Sequence, residues 1–130
     1  MEDATYGGTQ ALIVPVNRDE PTIPFEVTDY TQYQTIVDGT FDIARSWVLS
    51  PNGGRVEISV YINDEGLIFN MAHNPRASKW AGQDLVGTAV ITGGVDMKGN
   101  TLSIPSFLQR LVDNDNQQWL EQRAAQSQGA

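Results

Sequence analysis

The stretch RVEISVYIN, residues 55–63, decides the fold class. Val56, Ile58, Val60 and Ile62 alternate in it with residues that are mostly polar. Successive side chains of an extended chain point to opposite sides, so this alternation places the four apolar side chains on one face. The stretch therefore predicts a β-strand with one buried face.

A second strand-like stretch, TFDIARSWVLS (residues 40–50), precedes the first across a short connection. Phe41, Ile43, Arg45 and Trp47 share one face of it, and the arginine interrupts an otherwise apolar row. The connecting letters NGG supply residues that tolerate a positive φ, as the turn of a β-hairpin requires. We therefore predict an antiparallel hairpin, with Arg45 favouring a position at the sheet edge.

The remaining segments complete an α+β pattern. Short apolar runs predict strands at ALIVPV, LIFN and LVGTAVITGG (residues 11–16, 67–70 and 85–94). Helical spacing predicts helices over residues 30–37, 75–81 and 104–125, the last one frayed or broken into two helices at DNDN, residues 113–116. The fold expected is α+β, with an antiparallel or mixed sheet of about five strands and two or three helices on one face.

The length of 130 residues fits one domain. We expect a flexible leader over residues 1–10, a single α+β domain over 11–125 and a disordered tail over 126–130. The N-terminus has no apolar signal region, and no apolar run approaches the roughly 20 residues that a membrane span needs. A cytoplasmic protein without membrane contact is expected.

The net charge of −8 is concentrated near the N-terminus. Residues 1–38 hold seven acidic residues against Arg18 alone, whereas residues 39–130 hold nine against seven basic ones. A negative surface repels phosphate, so direct nucleic-acid binding is disfavoured. The chain has no cysteine, which excludes disulfides, zinc–thiolate sites and cysteine nucleophiles.

The segment around His73, the only histidine of the sequence, predicts a helix start rather than a catalytic site. Asn74 is a helix-capping residue, and Pro75 follows it at the first helical position. Arg76, Lys79 and Gln83 are expected to face water, where the two cations could also hold an anion. No nucleophile elbow, phosphate loop or zinc motif occurs, so we predict no catalytic residue, no cofactor and no metal.

Trp119 and Leu120 leave two alternatives open. They cap the core, or they form an exposed hot spot for self-association as a homodimer or for a partner protein. The residues assigned to partner binding are Trp119, Leu120 and Arg123 of this segment, together with the cations Arg76 and Lys79.

The order of the motifs resembles a family of small actinobacterial and actinophage proteins with a domain of unknown function. The matching pieces, which span residues 11–94, are ALIVPV, IVDG, VEISVYIN followed by NDEG, NPRA, and LVGTAVITGG. The resemblance implies a phage-type protein, which would lie in the host cytoplasm if it is phage-encoded, and brings no catalytic residue.

Three hypotheses for the function follow. The first is a non-enzymatic binding or accessory protein that engages a host or phage protein. The second is an acidic mimic of nucleic acid that inhibits a DNA-binding or restriction enzyme. The third is an enzyme with an unrecognised site around His73.

Overall fold

A computed structural model describes residues 8–128 of the protein. The α+β class and the antiparallel sheet of five strands are confirmed. Residues 23–27 form a strand that the sequence did not predict, whereas residues 67–70, predicted as a strand, form none. The sheet has the order β2-β1-β5-β4-β3, and every strand pair in it is antiparallel. The elements are β1 (Thr9–Val14), β2 (Ile23–Val27), α1 (Thr31–Val37), β3 (Phe41–Leu49), β4 (Arg55–Asn63), α2 (Pro75–Ala81), β5 (Ala89–Gly93) and α3 (Leu108–Gln128). Within the described residues, none of these helices combines the length and apolarity that a bilayer crossing requires.

The predicted hairpin is formed by β3 and β4. Nine residue pairs join the strands, from Phe41 opposite Asn63 to Leu49 opposite Arg55. Gly53 takes a φ of 90° in the connecting turn, a conformation that favours glycine. Because β3 has only one neighbouring strand, Arg45 lies on an edge strand, as its interruption of the apolar row predicts.

The first face of the sheet, here the aliphatic face, carries a core of branched apolar side chains. Strand residues on this face include Leu12, Val14, Ile58, Val60 and Ile91, all of them fully buried. Helices α2 and α3 cover this face, through Ala77 and Ala81 from α2 and Leu108 and Val112 from α3. Two of the three helices therefore pack on one face, within the predicted number, whereas α1 lies on the opposite face.

The opposite face, here the aromatic face, is covered by α1. Tyr33 of α1 stacks on Tyr61 of β4 with ring centroids 4.0 Å apart, and the Phe41 ring meets both edge-on. Ser59, Tyr61 and Asn63 are consequently buried as well. The expectation that β4 is half-buried was wrong, because α1 adds a second covering layer.

Two local expectations differ from the structure. LIFN forms no strand, since residues 64–70 are a series of turns. DNDN does not interrupt α3, which is one continuous helix. Three of the four polar side chains of DNDN, those of Asp113, Asp115 and Asn116, find partners outside the helix, so they need not compete with its backbone bonds.

The ends of the chain are described only in part. Thr9 and Gln10, placed in the leader by the sequence, belong to β1, and α3 continues through Gln128 into the expected tail. The rest of the leader, residues 1–7, and residues 129–130 of the tail lie outside the described part of the chain.

Candidate functional site

The start of α2 is a structural corner. Asn74 is fully buried and is the N-cap, with its Oδ1 accepting a hydrogen bond from the amide of Ala77 at 3.0 Å. Its Nδ2 donates to the carbonyl oxygens of Val14 and Gly87, each at 2.9 Å. The side chain thus joins α2 to β1 and to the segment that leads into β5. The predicted cap at Asn74, with Pro75 as the first helical residue, is confirmed.

Arg76 does not face water as expected, since only 1% of its surface is exposed. Its Nη2 donates to the carbonyl oxygens of Pro15 at 3.0 Å and Asn17 at 2.7 Å. Burial lowers the pKa of the Arg76 guanidinium, and the neighbouring Arg18 lowers it further. The connection from β1 to β2 has folded over α2, which a helical wheel of α2 alone does not reveal.

Trp119 stands at the centre of a mixed aromatic and charged surface. The guanidinium carbons of Arg18 and Arg123 lie 4.3 and 4.9 Å from the centroid of its ring system. Arg123 also donates to Asp19 at 2.9 Å. Leu120 is half-buried beside them, and 38% of Trp119 is exposed. We call these five residues the Trp119 surface; of the two alternatives, the structure places Trp119 outside the core.

Polar side chains of α3 join this surface to the rest of the protein. Arg18 donates to Oδ1 of Asn116 at 3.1 Å, and Nδ2 of Asn116 donates back to the Arg18 carbonyl at 2.9 Å. Asp113 accepts from the hydroxyl of Thr22 at 2.7 Å, and Lys79 pairs with Asp115. These contacts hold three of the four DNDN side chains away from the helix backbone, which favours an uninterrupted helix.

A cavity of about 230 Å³ lies beside the Trp119 surface, between the β1–β2 connection and α3. Arg18 and Arg76 line it, and so do three carboxylates, those of Asp19, Glu20 and Asp113. Because neither sign of charge dominates, the cavity does not select an anion. The anion site considered for Arg76 and Lys79 is not formed either, since Arg76 is buried and Lys79 is paired with Asp115.

His73 contacts a serine and a carboxylate through one and the same nitrogen. Its Nε2 lies 3.2 Å from Oγ of Ser78 and 3.6 Å from Oδ1 of Asp84. In a catalytic relay the carboxylate orients the histidine through the other ring nitrogen. Oγ of Ser78 also accepts from the amide of Leu85 at 2.8 Å. The geometry therefore favours a structural role for Ser78.

Among the described residues, the most exposed apolar side chains at consecutive positions lie in the connection from β4 to α2. Leu67, Ile68 and Phe69 are 80%, 74% and 63% exposed. We call residues 67–69 the apolar loop. Sequence reasoning assigned them to a strand and therefore missed them as a surface. No local signal could have shown their exposure, because a short apolar run after the turn sequence NDEG is also the pattern of a buried strand.

A family model described as "Domain of unknown function (DUF3846)" matches residues 9–115. The chain belongs to this family. No curated protein and no solved structure matches the chain. The resemblance inferred from the order of the motifs is thus confirmed at the level of a domain of unknown function.

The DUF3846 match includes the whole apolar loop but only part of the Trp119 surface. It contains all five strands, α1, α2, the apolar loop and the first two turns of α3. Arg18 and Asp19 lie inside the match, whereas Trp119, Leu120 and Arg123 lie beyond its end. The Trp119 surface is therefore built jointly by the DUF3846 domain and the distal part of α3.

Proposed function

We propose that the protein is a small non-enzymatic binding protein that acts by contact with another protein through the Trp119 surface. The observation that carries the proposal is the exposed Trp119 ring with two arginine side chains held against it. Tryptophan and arginine are the residues most enriched among those that dominate the binding energy of protein interfaces. Their combination at one exposed position favours partner binding over any chemistry at this surface.

The surface is ordered before a partner binds. Arg18 is fixed by Asn116 and Arg123 by Asp19, so both guanidiniums already have defined positions against the Trp119 ring. Fixing a long side chain on binding costs on the order of 1 kcal/mol, and a preformed arrangement avoids much of that cost. Preorganisation therefore supports a binding role for these side chains.

The proposal includes a phage-encoded origin and a host or phage protein as the partner, in the cytoplasm of the host. The resemblance of the motif order to actinobacterial and actinophage proteins supports this part. The genes on either side of the coding sequence test it: structural or regulatory phage genes are expected there.

The test is affinity capture from a lysate of the cells that carry the gene, followed by binding of the purified captured protein. Trp119→Ala is expected to weaken that binding by at least about 30-fold. Trp47→Ala is the matched control, because Trp47 is also exposed and Arg55 lies 3.9 Å from its ring. The proposal would be contradicted if the two variants bound the captured protein equally well, or if only Trp47→Ala weakened the binding.

Salt and DNA distinguish the proposed function from acidic mimicry. Mimicry requires binding that falls steeply between about 50 and 200 mM salt and is displaced by DNA. Binding through a tryptophan-centred contact is expected to persist over that range. Steep salt dependence together with displacement by DNA would favour the mimic instead.

A further inference from the structure

The apolar loop exposes three large side chains from a backbone that is firmly held. The amides of Phe69, Asn70 and Met71 donate to the carbonyl oxygens of Glu65, Leu67 and Gly66 at 3.1, 3.2 and 2.9 Å. Asn70 has a φ of 56°, in the left-handed region, and closes this turn. The conformation of the loop is therefore defined by its own backbone bonds and does not depend on contacts of the three side chains.

Both ends of the loop are joined to the body of the domain. Asp64 exchanges hydrogen bonds with Thr40: its amide donates to the Thr40 carbonyl oxygen at 3.1 Å, and its Oδ1 accepts from the Thr40 hydroxyl at 2.6 Å. At the other end Met71 packs closely against Gly87. A Cβ atom added to Gly87 would lie only 2.9 Å from the Met71 sulfur. The loop is a fixed projection, so the exposure of its side chains is a property of the fold.

Three consecutive exposed apolar residues are unfavourable for a protein that meets only water. Such runs are avoided on surfaces unless a partner covers them. The group is compact: three neighbouring side chains cover less than the roughly 800 Å² per partner of a standard interface. That size fits insertion into a pocket better than a flat contact with a second copy of the chain.

The charge around the loop selects among possible occupants. Asp64 and Glu65 precede the loop directly, and no lysine or arginine occurs between Val56 and Pro75. Anionic lipid headgroups would repel these carboxylates, whereas basic side chains at the rim of a pocket would attract them. A second copy of the chain would bring the same two carboxylates against the first.

We infer that the apolar loop is a docking element that inserts Leu67, Ile68 and Phe69 into an apolar pocket of a partner protein whose rim carries lysine or arginine. This site goes beyond the Trp119 surface, since it is built on the β4–α2 connection and carries the opposite charge pattern.

The test places a photo-cross-linking amino acid at Ile68 of the full chain in a lysate of the cells that carry the gene. The purified cross-linked protein is then titrated with the unmodified chain. We expect the cross-link to map to a partner segment that contains lysine or arginine. Phe69→Ala is expected to weaken binding by at least about 30-fold, and Glu65→Lys by about 3- to 10-fold, with an effect that shrinks in high salt.

Met97→Ala is the matched control, because Met97 is a fully exposed apolar side chain outside the loop, and it is expected to leave binding unchanged. Equal thermal unfolding of all variants shows that the domain stays folded. The inference is overturned by a cross-link to a second copy of the chain, by no cross-link to any protein, or by equal affinities of Phe69→Ala and Met97→Ala. The inference is also overturned if the unmodified chain binds phosphatidylcholine–phosphatidylglycerol vesicles and Phe69→Ala abolishes that binding.

Trp119→Ala in the same titration separates the two proposals. If Phe69→Ala loses binding to the cross-linked protein and Trp119→Ala retains it, the result supports the docking loop and counts against the Trp119 surface for this partner. The reverse result overturns the loop and supports the Trp119 surface.

Discussion

The two faces of the sheet are buried by different means. On the aliphatic face, two helices lie over branched side chains that reach from β1 to β3. On the aromatic face, the seven-residue α1 covers one end of the sheet, and the face stays open at the β3–β4 turn, where Trp47 and Leu49 are exposed. An isolated helix of that length is unstable in water, so α1 depends on its contacts with the sheet.

The difference shows that coverage, rather than residue type, decides what becomes core. Phe41 and Trp47 lie on the same side of the same strand, yet Phe41 packs against Tyr33 and Tyr61 while Trp47 faces solvent. The aromatic face compensates for its small covering helix with large stacked rings, each of which buries more area than an aliphatic side chain. Stability should therefore be distributed over many residues on the aliphatic face and concentrated around α1 on the other.

The largest effect is expected for Ile58→Ala, on the aliphatic face. Ile58 is fully buried, and its truncation leaves a cavity that neighbouring side chains fill only in part. The free energy of unfolding should fall by about 2–5 kcal/mol, measured by urea denaturation. Trp47→Ala, on the open part of the aromatic face, is the comparison and should change it by about 0.5 kcal/mol or less. Equal losses would break the distinction between covered and open regions.

Two buried asparagines hold one helix on each face, and they sharpen the comparison. Asn74→Ala removes the α2 cap and leaves the carbonyl oxygens of Val14 and Gly87 without their donor. We expect a loss of about 2–4 kcal/mol, the sum of a lost cap and of buried groups without partners. Asn74→Ser retains a capping oxygen but lacks the hydrogen bonds to Val14 and Gly87. Its free energy of unfolding should therefore lie between those of the wild type and Asn74→Ala.

Asn63 has the corresponding role for α1, and a smaller effect is expected from its truncation. Its Nδ2 donates to the carbonyl oxygens of Val37 at 3.2 Å and Asp38 at 2.9 Å, at the end of the helix. Asn63→Ala should cost about 1–3 kcal/mol. Hydrogen exchange should show the loss of protection first in α1, since this helix covers only one end of the sheet. If protection from exchange is lost uniformly in the helices on both faces, α1 does not depend on Asn63 separately from the rest of the fold.

Most of the sheet could be predicted from the sequence because its signals are local. The alternation in β4, the glycines of the β3–β4 turn and the Asn74-Pro75 pair each determine the backbone near them. The burial of Arg76 and the continuity of α3 could not be predicted in this way. Both depend on the β1–β2 connection, whose Asn17, Arg18 and Thr22 lie far from α2 and α3 in the sequence.

The candidate surfaces were only partly predictable for the same reason. Trp119 was recognised by its residue type, but its position between Arg18 and Arg123 required the fold. The apolar loop was missed because LIFN was interpreted as a strand, and only the turns of the structure show that its side chains have no sheet to join. Exposure of apolar residues is a tertiary property, and a local pattern does not contain it.

The smallest effect at neutral pH is expected for Tyr33→Phe, which tests the aromatic face alone. Burial raises the pKa of Tyr33 above its ordinary value, and the neighbouring Tyr61 raises it further. The unfolded chain therefore releases this proton from about pH 10 upwards, while the folded chain retains it. The stability linked to Tyr33 is fully present below pH 10 and is lost as the pH rises towards the folded pKa, with a slope of up to about 1.4 kcal/mol per pH unit.

Tyr33→Phe should remove this part of the alkaline slope, measured as the free energy of unfolding between pH 8 and about pH 11. Tyr30→Phe is the control, because the Tyr30 ring is exposed and contacts only the edge of the same aromatic cluster. If the two variants lose stability at the same rate as the wild type above pH 10, Tyr33 is hydrated in solution. The short α1 would then not seal the aromatic face, and the burial of that end of the sheet would need another source.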